Sequence, residues 1–324
     1  MTAAASRHPD QGSNPDWSLF PDPCSLNTMQ PQSKFQPTYS FEFFPPKTEE
    51  GTENLLTISE RLARLSPDFF SVTFGAGGST REKTFETVME IQRETGMEGA
   101  PHLSCIGSTH DSIRDIINKY RDHGVRRIVA LRGDMPSGMM SAGEFHYASE
   151  LVEFIRKETG NHFSIEVAAY PETHPEAANA EKDLLHFKRK VDAGANSAIT
   201  QYFYSAEGYF YFVDRCEKLG IDLPITPGIM PITNYTQLSR FSERCGAEIP
   251  RWMRKRLESF GDDRASIRAF GIDVVGHLCQ KLLDNGAPGL HFYTMNRAEA
   301  VLAIWKNLNL TSTPRQLKLA TDGR

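Results

Sequence analysis

From residue 38 onward the chain alternates between two periods. Short runs rich in β-branched and aromatic residues recur, and between them apolar residues fall at three- and four-residue spacing. The first pattern reads as strand and the second as amphipathic helix. Strands are expected over residues 40–44, 69–74, 101–105, 127–131, 163–169, 197–203, 224–229 and 289–293. Leu55, Ile58, Leu62 and Leu65 mark the helix after the first strand, and Ile113, Ile116, Ile117 and Tyr120 the one after the third. Ser79 and Glu82 read as a capping box opening a helix to about residue 95. Further helices are expected near 144–158, 175–193, 207–219 and 235–243. Before the last strand the rhythm breaks into two consecutive helices, 250–260 and 265–285, and a closing helix covers 298–308.

Eight strand–helix alternations predict an α/β fold with a parallel sheet, and the number favours a (β/α)8 TIM barrel. The barrel is expected as one domain over residues 38–310, with extra helices before the last strand. A doubly wound open sheet is the alternative. It usually shows a Gly-rich turn after its first strand, whereas here that strand ends in Phe44-Pro45-Pro46. Residues 1–37, rich in Pro, Ser, Asp, Asn and Gln, read as a disordered tail, and 311–324 as a C-terminal tail.

Composition narrows the function classes. The 324 residues carry a net charge of −5 with no run of Lys and Arg among aromatics, which argues against nucleic acid as a partner. No stretch is apolar enough to span a membrane or to serve as a secretory signal. Cys24, Cys105, Cys216, Cys245 and Cys279 are odd in number and scattered. That is neither a disulfide framework nor a metal-ligand spacing, and reads as reduced thiols of a cytoplasmic protein without a metal.

A barrel carries its chemistry at the C-terminal ends of its strands. Polar residues gather there: Glu42, Thr73, His102, Arg132, Asp134, Tyr170, Glu172, His174, Gln201, Tyr204 and Tyr293, with Gln237 on the helix after strand seven and Arg297 beyond strand eight. Singly, each has a plain reading. Glu42 can be a core carboxylate bonded to a neighbouring strand, Arg132 and Asp134 a local ion pair, and Gln237 part of a helix cap. Together, on successive strand ends, they argue for a site. Pro175 fits the first position of a helix whose N-terminus would face an anion. Asp183, His186 and Lys190 then share one face of that helix. An aldolase or lyase using Lys190 as a Schiff-base amine, and a non-catalytic ligand-binding protein, are the competing functions.

The motifs SFEFFPPK, VTFGAGGSTREKT, HLSC, LRGDMP, AAYPETHPEA, DLLHFKRKVDAGANSAITQYFY, PGIMPITNY and HFYTMNRAE occur in this order. Over about residues 39–308 the chain closely resembles methylenetetrahydrofolate reductase of the bacterial type. The resemblance implies a barrel holding FAD non-covalently, with NADH or NADPH as co-substrate. It implies reduction of 5,10-methylenetetrahydrofolate to 5-methyltetrahydrofolate by ping-pong hydride transfer through FAD, supplying methyl groups for methionine synthesis. It also implies a homo-oligomer, and bacterial relatives favour NADH.

Residue by residue, the resemblance makes Glu42 the general acid, its carboxyl expected to be raised toward neutral pH by an apolar strand. It sets Asp134 against both pterin and flavin as a second catalytic group. Gln201, Gln237 and Arg297 map to substrate contacts. The FAD contacts map to Thr73, Phe74, Ala76, His102, Arg132, Gly133, Asp134, Tyr147, Ala148, Tyr170, His174, Ala177, Asp183, His186, Arg189 and Lys190. FAD is expected between strands three and five, its diphosphate near the helix beginning at Pro175. Phe74 departs from a tyrosine, and His186 from an asparagine. Eukaryotic members carry a C-terminal regulatory domain; the chain stops soon after the barrel, so that regulation is expected to be absent.

Overall fold

The computed structural model describes residues 32–74, 78–134 and 143–310. The elements run β1 (Thr38–Phe43), α1 (Glu49–Ala63), β2 (Phe69–Val72), α2 (Gly78–Thr95), β3 (Gly99–Ser104), α3 (His110–Asp122), β4 (Arg127–Leu131), α4 (Ala148–Thr159), β5 (Ser164–Ala169) and α5 (Ala180–Asp192). They continue with β6 (Ser197–Thr200), α6 (Ala206–Lys218), β7 (Ile225–Thr226), β8 (Gly228–Ile229), α7 (Tyr235–Cys245), α8 (Arg251–Ser259), α9 (Arg264–Asp284), β9 (Gly289–Tyr293) and α10 (Glu299–Asn307). The strands form one parallel sheet in the order β7-β6-β5-β4-β3-β2-β1-β9-β8.

The two ends of that sheet, β7 and β8, are halves of one chain segment, so the sheet curls into a nearly closed TIM-like barrel. Pro227 divides them, because it has no N–H to give to a ladder. Its carbonyl still accepts from the His291 N–H at 3.0 Å. A Cβ on Gly228 would come within 2.1 Å of the Thr200 carbonyl oxygen, so the strand can close here only with glycine.

Alternation along the strands sorts side chains into two compartments. Phe41, Phe43, Phe70, Val72, Leu103, Ile128, Ile165 and Phe292 point outward and join the helices in the main core. Phe69, Ala100, Val129 and Ile199 form a second, small cluster. Helices start where short side chains satisfy their free N–H groups: Thr48 for α1, Thr109 for α3, Asn179 for α5, Ser205 for α6, Asn234 for α7 and Asp263 for α9.

Four readings from the pattern shift. Strand seven is two short pieces. α2 opens at Gly78, so Ser79 lies inside its first turn. α4 opens at Ala148, four residues later than its pattern suggested. α5 opens at Ala180, behind Asn179, and Pro175 is not its first residue. Thr173 sits at φ +89°, the His174 N–H is tied to Asp183 at 2.8 Å, and residues 175–178 turn before the helix begins. Gln32, expected to belong to the tail, is packed against the barrel. The buried Gln32 side chain donates to the Leu223 carbonyl at 3.3 Å and accepts from the Ile225 N–H at 2.8 Å, in the manner of a neighbouring strand.

α9 packs against α6 and α10 and serves as the return helix of the last unit. That leaves α7 and α8 as an insertion at the C-terminal mouth. The Glu248 N–H donates to Glu172 beyond β5 at 2.8 Å, and Tyr202, beyond β6, bonds Ser242 of α7 at 3.1 Å.

Candidate active site

Glu42 lies on the inner face of β1, between two outward phenylalanines. In register beside it stand Ser71 of β2 and Tyr293 of β9. One carboxylate oxygen lies 3.3 Å from Nε2 of His102 and 3.4 Å from Nε2 of His291. The other ring nitrogen of His291 bonds Ser40 Oγ at 2.7 Å. Both histidines are buried. The His291 contact has hydrogen-bond geometry, whereas His102 Nε2 meets Glu42 only as a close charge contact and has no hydrogen-bond partner of its own. Burial pushes the Glu42 carboxyl up, but the close contacts of His102 and then His291 outweigh it and hold the group at about 2. The expected raised carboxyl is therefore corrected: in the free protein Glu42 is a carboxylate.

A cavity of about 900 Å³ opens beside this cluster, over the ends of β3, β4 and β5. It brings together Phe74, Arg132, Gly133, Asp134, Tyr147, Ala148, Tyr170, His174, Ala177, Asp183, His186 and Lys190 from the sequence-derived set. Ser104, two residues along β3 from His102, connects it to the Glu42 cluster. Gly133 adopts φ +87°, and a Cβ there would fall 2.0 Å from Ser104 Oγ. The turn can pack this closely against β3 only because the residue is glycine. Arg132 pairs with Glu176 at 2.7 Å. Asp183 fixes the loop by accepting the His174 N–H, and the Tyr170 and His174 rings meet edge to face at 4.6 Å. Tyr147 is exposed and stacks on His186 at 5.2 Å. Burial lowers the His174 and His186 imidazoles.

Lys190 reaches the floor of the cavity and donates to the Ala168 carbonyl at 2.5 Å. Burial lowers its ammonium to about 8, with Asp183 working against that shift. No carboxylate comes within ion-pair distance of it among the described residues.

The remaining sequence candidates stand apart from the cavity. Thr73 is fixed through its backbone to Phe43 at 2.9 Å. Arg189 is exposed on α5, outside the cavity lining. Ala76 lies outside the described residues. Gln201 follows β6 directly and accepts its neighbour Tyr202's N–H at 3.0 Å. Gln237 is exposed in the first turn of α7, where its N–H is capped by Asn234 at 2.8 Å. Arg297 is exposed beyond β9. These last three mark the other half of the mouth. Asn296 is a fastening rather than a site residue: its amide bonds both the N–H and the carbonyl of Phe44, at 3.0 and 2.9 Å.

Sequence reasoning missed His291 and Ser40. The signal was present, since His291 lies two residues before Tyr293 on the same strand face. Attention to strand ends alone passed over a residue one layer deeper.

Residues 28–309 match the family model described as methylenetetrahydrofolate reductase. The 5,10-methylenetetrahydrofolate reductase of Escherichia coli is 44% identical over 286 residues, covering 88% of this chain and 95% of that one. The chain belongs to the methylenetetrahydrofolate reductase family. A plant relative, methylenetetrahydrofolate reductase (NADH) 1 of Arabidopsis thaliana, is 39% identical over 85% of this chain and 49% of its own length. Among solved structures, an uncharacterized Clostridium thermocellum protein that binds two copies of 5-methyl-5,6,7,8-tetrahydrofolic acid superposes with a TM-score of 0.59. It is 17% identical, covers 86% of this chain and 96% of its own, and speaks for the fold alone. Among the described residues no helix is long and apolar enough to cross a membrane.

Proposed function

We propose that the protein reduces 5,10-methylenetetrahydrofolate to 5-methyltetrahydrofolate, with electrons from NADH or NADPH passed through bound FAD. The observation that carries this reading is the pairing of a cavity of about 900 Å³ with an inward carboxylate flanked by two imidazoles at one barrel mouth. Family membership supports the same reading for a cytosolic homo-oligomer that feeds methionine synthesis.

The residues present fit FAD. The cavity offers about 900 Å³ over the ends of β3, β4 and β5, and His102 Nε2 is a buried polar atom with no hydrogen-bond partner. Lys190 would face the diphosphate, Tyr147 with His186 the adenine, and Asp134 with His102 the isoalloxazine. When bound, FAD supplies the hydride relay between nicotinamide and folate. The chain's own part is positioning and proton handling. Gln201, Gln237 and Arg297 hold folate on the opposite half of the mouth. Opening the folate ring that bridges two nitrogens requires a proton on the leaving nitrogen, and Glu42 donates it. Covering the mouth removes water from the exposed edge of Glu42 and favours its neutral form. His291 Nε2 contacts the carboxylate at 3.4 Å and helps to hold it in place.

Lys190 has the depressed ammonium of a Schiff-base lysine, but it bonds a carbonyl in the cavity, away from Glu42. The test is spectroscopic. The protein should take up FAD, lose its visible flavin band anaerobically with NADH or NADPH, and regain it with methylenetetrahydrofolate. Failure to bind FAD, or bleaching without folate-dependent recovery, overturns the proposal.

A further inference from the structure

The insertion α7–α8 carries an uncommon concentration of charge. In a chain of net charge −5, residues 235–259 hold six cations against three carboxylates. Arg251, Arg254, Lys255 and Glu258 fall at helical spacing and share one face of α8. Glu258 identifies what that face looks toward: its carboxylate meets the Tyr235 hydroxyl at 3.4 Å, in the first turn of α7, two residues from Gln237. The other end of α8 follows Glu248, which is tied to Glu172 at the rim. Both ends of the helix are thus anchored at the mouth, and its cationic face borders the half assigned to folate. Lys255 pairs with Glu258 at 2.9 Å. Arg251 and Arg254 are exposed and pair with no carboxylate among the described residues.

Two unpaired arginines beside a substrate site ask for an anion that the substrate itself can bring. Folate ends in a glutamate, and further glutamates joined through γ-carboxyls add one carboxylate each. We propose that the Arg251–Arg254–Lys255 face of α8 binds the γ-linked oligoglutamate tail of the folate substrate. The inference rests on the reductase reading and deepens it. From Glu258 back to Arg251 the helix extends roughly 10 Å, at about 1.5 Å per residue. That length offers successive cations to successive carboxylates. The contacts are at the surface, so their effect is modest one by one and screened by salt.

The experiment compares kcat/KM for methylenetetrahydrofolate carrying one and three glutamates, at low and at high salt, on the FAD-loaded full chain. At low salt the triglutamate should be favoured about tenfold, as two or three exposed ion pairs imply, and the preference should shrink at high salt. In R251Q/R254Q the ratio of the two substrates should fall near one, while Lys255→Gln alone takes an intermediate ratio. If neither substrate is turned over by the parent, the reductase reading itself falls. If both are turned over with no tail preference, or the preference survives R251Q/R254Q, the tail does not lie on α8. A variant that keeps the tail preference but loses discrimination between NADPH and NADH would assign the arginines to a nucleotide phosphate and overturn the inference.

Discussion

If FAD binds over Lys190 as proposed, its affinity should be a function of pH. The Lys190 amine is buried at the floor of the cavity, bonded to the Ala168 carbonyl, and lowered to about 8. A diphosphate placed over it would favour the ammonium, so above pH 8 binding must take up a proton. The sign is fixed by that linkage. Below about pH 8 the free site already holds the charge and affinity is flat. Above it, affinity falls with the fraction of free sites still protonated. That fraction is roughly nine-tenths at pH 7 and roughly one-tenth at pH 9, so the dissociation constant should rise about tenfold between them. The assay is titration of the apoprotein with FAD, read by quenching of flavin fluorescence from pH 6 to 9.5. Lys190→Met should bind more weakly at pH 7 and show no step. Lys190→Arg keeps its charge throughout and should also remove the step. A parent whose affinity is flat across this range, or a step that persists in Lys190→Met, would refute the assignment of Lys190 to the cofactor anion.

Glu42→Gln keeps size and most hydrogen bonding but cannot donate the proton, so flavin bleaching by NADH should persist while folate-driven recovery slows by at least ~100-fold in stopped flow. Equal recovery rates in parent and variant would return Glu42 to a structural role. Gly133→Ala forces a Cβ against Ser104 in a left-handed backbone, and should weaken FAD retention through gel filtration more than it lowers the melting temperature. Gln32→Ala strands one N–H and one carbonyl of the strand-seven segment and should cost about 1–3 kcal/mol in urea unfolding, with FAD affinity unchanged.

The alternation of periods made the barrel legible, because strand and helix patterns are local and the parallel topology follows from their order. The split of strand seven was not legible in the same way. Pro227 suggested a break, but the closure depends on Thr200 and His291 arriving from elsewhere. Pro175 misled for a related reason. Its fixed φ suits a helix start, yet Asn179 caps the helix and Asp183 holds the preceding loop in a turn. At the site, the motif residues of β4, β5 and α5 do converge on one cavity. The environment of Glu42 was the hardest to read. Its sequence neighbours are aromatic, but they point to the other face of the sheet. What surrounds the carboxylate comes from β3 and β9, 60 and 249 positions along the chain.

That environment suggests why one carboxylate can serve a protein with two successive substrates. A group held permanently neutral by an apolar pocket would offer its proton whichever substrate was present. Glu42 is balanced instead between burial, which favours the neutral acid, and two imidazoles, which favour the carboxylate, and in the free protein the imidazoles prevail. A nicotinamide passing hydride to FAD needs no proton from this side of the mouth, and the carboxylate can remain ionised. Folate lying between Gln201, Gln237 and Arg297 would cover the exposed edge of Glu42. Removing water there strengthens the burial effect and favours the protonated carboxyl. On this argument the acid is made by the substrate that consumes it, and the two histidines are what keep it unmade until then.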